Sequence, residues 1–145
     1  MKFFNSPVIL IAIFTVTTAC TTKPSKEARE FQTLFDEVIV IHDEVMPQMG
    51  KLNTLGQQLK KEADTTTAAY TEAAEGLKKS HKVMMDWMKD FSEKFPYDDA
   101  PLKDKTPEEI TQKIALLKSE KEEMSELRDL VNQSIEKAER LLEKK

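Results

Sequence analysis

The run KEAREFQTLFDEVIVIHDEVMPQMGKLNTLGQQLKKEA, from Lys26 to Ala63, decides the fold of this chain. Phe31, Val38, Val45, Leu52 and Leu59 recur every seven residues, and Leu34 or Phe35, Ile41, Met49 and Leu55 fill the positions between them. Apolar residues at that spacing line one face of a helix, because about 3.6 residues make a turn. Ile39, His42 and Met46 widen the stripe, as expected of a helix buried by two neighbours. Pro47 interrupts it. Proline has no N–H to give the carbonyl of Asp43, and its ring crowds the preceding turn. Gly50 and Gly56 weaken the same half further. The pattern predicts one long helix over about 26–63, kinked near residues 43–47.

Outward from that run the helical period continues. Asp64-Thr65-Thr66-Thr67 reads as a break, with Asp64 or a threonine capping the next helix. The second helix is expected over about 66–95. Tyr70, Leu77, Met84 and Phe91 form one heptad series, and Ala73 or Ala74, His81, Met88 and Phe95 form the other. Pro96, the acids Asp98 and Asp99, and Pro101 then impose a loop that runs to Lys105. Thr106-Pro107-Glu108-Glu109 is the clearest helix start in the chain: a capping threonine, proline at the first helical position and a capping-box glutamate. A third helix over about 107–143 follows, with Ile110, Leu117, Met124, Val131 and Ala138 at heptad spacing. Ile114, Ile135 and Leu142 supply its other seam, which Lys121 and Arg128 break midway. Glu120, Glu122, Glu123 and Glu126 around them read as a solvated charged face. Glycine occurs 3 times in 145 residues, and strand-like alternation is absent. The fold class is all-α: an antiparallel three-helix bundle with coiled-coil character.

Before the bundle comes a different kind of sequence. Lys2 precedes an apolar run from Val8 to Val16, and Thr17-Thr18-Ala19 leads to Cys20, the single cysteine of the chain. A charged start, a short apolar core and a small-residue exit are the layout of a secretory signal peptide. The run falls short of the ~20 apolar residues that a membrane-spanning helix needs. A lone thiol in an exported protein is a liability unless it is used. Its place directly after Ala19 resembles a lipobox, with Thr17 where that motif usually has leucine. The expected organisation is a cleaved signal peptide over 1–19, a lipidated cysteine and polar tether over 20–25, and a bundle domain over 26–145. Acyl chains on Cys20 would anchor the protein stably to a membrane. The leader removes one lysine, leaving 21 basic against 26 acidic residues. That balance argues against nucleic acid as a partner.

Three stretches together resemble a known group of proteins: Ile41-His42-Asp43-Glu44-Val45-Met46-Pro47-Gln48-Met49-Gly50, Met84-Met85-Asp86-Trp87-Met88, and Asn132-Gln133-Ser134-Ile135-Glu136-Lys137-Ala138-Glu139. They are similar to small lipoproteins of Bacteroidota labelled "viral A-type inclusion protein". The resemblance implies a lipoprotein with long helices, and it implies no activity. Surface-exported lipoproteins of that phylum tend to carry an acidic run after the cysteine, whereas Thr21-Thr22-Lys23-Pro24-Ser25-Lys26 has none. The expected location is the periplasmic face of the outer membrane.

One constellation stands out within the bundle. His42, Met46 and Met49 lie on one helical face, and so do His81, Met84 or Met85, and Met88. If the first two helices turn back near residues 64–66, His42 falls opposite Met88, Met46 opposite Met84, and Met49 opposite His81. Imidazole and thioether ligands suit Cu(I), so copper is the cofactor such a cluster would take. Zinc would call for cysteine, and a di-iron carboxylate centre for Glu-x-x-His, which occurs nowhere. The simpler reading is packing, since methionine fills irregular gaps in helical cores. Trp87, Phe91 and Phe95 either close the core at the bundle end or form an exposed patch for a partner helix or lipid surface. Catalysis finds little support, with no Gly-x-Ser-x-Gly elbow and no Gly-rich phosphate loop. His42 and Asp43, about 100° apart on a helix, are not expected to face each other. The sequence thus points to a non-enzymatic envelope protein with a structural or protein-contact role, through a partner or itself, and with soft-metal binding as the alternative.

Overall fold

The structure is a computed structural model, and residues 23–62, 68–98 and 100–144 are described in it. Four helices follow in order: α1 (Lys26–Val45), α2 (Gln48–Glu62), α3 (Ala68–Lys94) and α4 (Pro107–Glu143). Among the described residues there is no strand. The leader, Cys20 and the expected cap at residues 64–67 lie outside them.

Each start has a local cause. Ser25 caps α1 by accepting the Ala28 N–H at 3.0 Å, satisfying a donor that the first turn leaves free. Thr106 caps α4, with its hydroxyl accepting from the Glu109 N–H and the Glu109 carboxylate accepting from the Thr106 N–H at 2.7 Å. The loop before it contains Asp104 at φ 59°, a left-handed conformation that aspartate tolerates better than most residues.

The expected single helix over 26–63 is two. Met46 still donates to the His42 carbonyl at 2.9 Å, but Pro47 has no N–H to extend the ladder, and a fresh helix begins at Gln48. The heptad series survives the break: Phe31, Val38, Val45, Leu52 and Leu59 are all buried. α1 and α2 therefore run in succession along α4, which at 37 residues is about 55 Å long.

Side-chain pairs fix the directions. Lys118 meets Glu30 and Lys51 meets Glu139, each pair 88 residues apart, while Lys121–Glu37 and Arg128–Glu44 are each 84 apart. A near-constant offset means α4 runs parallel to α1 and α2. Against α3 the numbering runs in opposition: Lys94 meets Glu120, Ser80 meets Ser134, and Glu72 meets Lys137. The result is three rods, each antiparallel to the next in sequence. α1 lies closest to α4, whereas α2 lies closest to α3.

Candidate functional site

α3 is the helix on which the candidate residues converge, and its faces have different surroundings. Toward α1 it presents rings. Trp87 stacks on Phe91 at 4.8 Å, Phe91 packs on Phe95 at 5.0 Å, and Phe35 and Phe31 of α1 approach Phe91 and Phe95 at 5.8 and 6.4 Å. Offset and tilted rings at these separations stabilise beyond their area alone. Trp87, Phe91 and Phe95 are 7%, 8% and 8% exposed, so they are core and not an exposed patch. The reason is spacing. The backbones of α1 and α3 stay apart here, and only large side chains fill the gap.

The seven His and Met candidates are spread over three environments. Met84 is fully buried, and Met49 and Met88 are half-buried against the same core. Met46 and Met85 are 36% and 49% exposed. His42 lies over the Trp87 ring at 6.0 Å, and its Nδ1 is 2.9 Å from the Asp43 carboxylate. That contact corrects the expectation that the two side chains would not meet. The imidazole is held against the indole, and the short aspartate beside it reaches round the helix to its outer nitrogen. His81 is exposed and lines a groove between α2 and α3 with Asn53, Gln57, Lys60 and Lys78. It lies six residues from Trp87, about 9 Å along the axis. Among the described residues no group of three or more His, Cys, Asp and Glu side chains is placed to hold a metal ion.

His81 also leaves the seam to a neighbour. Ser80 takes the core position, with Ala73 and Trp87 seven residues to either side. Its hydroxyl donates to the Gly76 carbonyl at 3.1 Å and lies 2.9 Å from the Ser134 hydroxyl on α4. A buried serine satisfied this way costs little, whereas imidazole would not fit between such close helices. Glu120 is a second correction. Expected on the solvated face, it is 1% exposed and accepts from Lys94 at 2.7 Å. Hydrogen bonds to Glu120 and then to Asp90 hold the Lys94 ammonium well above the usual lysine range. Lys121 and Arg128, which break the α4 seam, instead flank it and reach Glu37 and Glu44 of α1.

The most distinct surface feature was not read from the sequence at all. Between the middle of α3 and α4 lies an open groove of about 740 Å³. Val83, Trp87, Leu127 and Leu130 line it with apolar surface, and Asp86, Asp90, Glu123 and Glu126 surround them. Lys89 is the one basic residue on its wall. Trp87 and Leu127 are buried, and among the described residues the indole Nε1 has no hydrogen-bond partner. The signal existed as acids at helical spacing on two segments, but only the register of α3 against α4 shows that they face one groove. No protein-family model, curated protein or solved structure matches this chain.

Proposed function

We propose that this chain is a lipid-anchored protein of the bacterial envelope whose helical bundle serves protein contacts and performs no catalysis. The observation that carries this reading is Cys20, the single cysteine, placed directly after a short apolar leader and a few residues before a packed bundle. Lipid on that thiol would give stable attachment, and among the described residues no helix is long and apolar enough to cross a membrane. α1 begins at Lys26, so the tether would join the bundle at the end where Phe31 meets Phe95. Anchored there, the rods would project from the bilayer and expose their long grooves along the sides. The non-acidic tether favours the periplasmic face of the outer membrane. Heptad spacing in all three rods supports coiled-coil character, with self-association or an envelope protein as the natural partner.

Packing is the favoured role of the His and Met side chains, because Met84, Met49 and Met88 join the core while Met46, Met85 and His81 are exposed. The anchor is tested by feeding cells an alkyne-bearing fatty acid and recovering the protein. Labelling of the native chain, with loss of label and release from the membrane fraction in Cys20→Ala, is expected. Equal labelling of Cys20→Ala would overturn the reading.

A further inference from the structure

We propose that the groove between α3 and α4 is a docking site for a cationic amphipathic helix of a partner protein. This inference rests on the protein-contact reading above and names the chemistry of the contact.

α4 meets the first rod through opposite charges: Lys118–Glu30, Lys121–Glu37 and Arg128–Glu44 join it to α1, and Lys51–Glu139 joins it to α2. The α3–α4 seam follows the same rule at two levels, with Lys137–Glu72 toward one end and Lys94–Glu120 toward the other. Between those levels the rule fails. Asp86 and Asp90 on α3 look across the groove to Glu123 and Glu126 on α4. Like charges along facing helices oppose their packing. Local partners relieve only part of this. Asp86 pairs with Lys82 and Asp90 with Lys94 on their own helix, and Lys89 is drawn toward Glu93. Lys82, Lys89 and Lys94 offset the α3 acids, so the surplus negative charge of the groove lies on the α4 wall, at Glu123 and Glu126.

The floor supplies the other half. Val83, Trp87, Leu127 and Leu130 give an apolar strip walled by carboxylates on both sides. A helix with a narrow apolar face flanked by Lys or Arg is complementary to that layout: its apolar residues meet the strip and its cations meet Glu123 and Glu126 of the α4 wall. The Trp87 N–H is a separate observation pointing the same way. Trp87 is 7% exposed and lines this groove, and among the described residues its buried Nε1 has no hydrogen-bond partner. Buried indole N–H groups usually find an acceptor, so this position is incomplete in the isolated chain. A partner helix laid along α3 and α4 brings an acceptor to it after a small rotation of the ring.

Trp87 is the only tryptophan in the chain, so its emission reports this groove directly. The test titrates the full chain, in non-ionic detergent, with a helical peptide of Leu and Lys about five turns long and lacking aromatic residues. A saturable change in Trp87 emission is expected. Asp90→Lys with Glu126→Lys should weaken binding by about ten-fold or more, and the matching Leu/Glu peptide should bind only this reversed chain. Both changed side chains are at the surface, so circular dichroism of the variant should match the parent; Glu123→Lys alone provides a milder second variant. Four results would overturn the proposal. They are no emission change up to about 1 mM peptide, equal binding of the Lys peptide by parent and reversed chains, the same saturable change with spermidine alone, or a concentration-dependent change without peptide that marks a second copy as the occupant. None of these bears on Cys20, so failure here and failure of the anchor are told apart.

Discussion

Between α1 and α3 the bundle is filled by rings, whereas between α2, α3 and α4 small residues are interleaved with aliphatic ones such as Leu52, Leu59 and Leu77. In the first region Phe31, Phe35, Trp87, Phe91 and Phe95 span a gap that the backbones leave wide. In the second, Gly56, Ala73, Ala74, Gly76, Ser80 and Ala138 let the helices draw together. The two regions meet at Pro47. A proline break lets the first rod change neighbours midway, so that α1 leans on α4 and α2 on α3 without losing its heptad register. One continuous helix of the same sequence pattern would have kept one spacing throughout. The lesson is that a proline in a heptad run can redirect a rod while leaving its core stripe intact.

The contrast can be broken most severely in the aromatic region. Phe91→Ala removes the ring that touches Trp87, Phe95 and Phe35 together, and such losses cost about 3–5 kcal/mol. Urea unfolding should show it, and a loss below about 1 kcal/mol would mean the rings do not hold the gap. In the small-residue region the opposite change is the damaging one. Ala73→Leu overfills a position that is 2% exposed, with an expected loss of about 1–3 kcal/mol; unchanged stability would show that α2, α3 and α4 are not closely packed there.

A gentler change sharpens the same point. A methyl at Gly76 would sit 3.9 Å from the Ser134 hydroxyl, and one at Gly56 would sit 4.0 Å from Leu77 Cδ1, both ordinary contacts. Gly76→Ala and Gly56→Ala should therefore each raise stability by about 0.5–1 kcal/mol, since helical glycine carries an entropic penalty. A fall in melting temperature would mean the helices are closer than the structure shows.

The smallest effect separates two carboxylates, one toward each end of the bundle. Glu72 lies below the usual carboxylate range because Lys137 bonds and attracts it, and Glu109 because the Thr106 backbone N–H bonds it. Each has its pKa depressed on folding, so its stabilising contribution is present above the ordinary value and lost as pH falls through the depressed one. Salt distinguishes them. NMR titration in about 1 M salt should restore Glu72 toward its ordinary value and leave Glu109 low. Equal salt sensitivity would contradict these causes.

Much of this was legible in the residues. The core stripe of the first rod, the α4 cap and the antiparallel order all follow from spacing and from Thr106-Pro107-Glu108-Glu109, which act locally. The corrections share a cause. Ser80 and Glu120 are polar residues at core positions, and a pattern built on apolarity passes over them in favour of His81 and the solvated face. Their heptad partners, Ala73 and Trp87 for Ser80 and Leu127 and Ser134 for Glu120, carried the signal. Whether a polar residue faces inward depends on a partner from another helix, Ser134 or Lys94, and that is a fact of register rather than of any one segment. The acidic groove was hidden for the same reason.

Intact-mass and N-terminal peptide analysis of the protein taken from its own membranes tests the role of Cys20 most directly. The predicted result is a chain beginning at Cys20 and carrying a diacylglycerol thioether. A chain that keeps residues 1–19, or begins elsewhere with Cys20 unmodified, would contradict it.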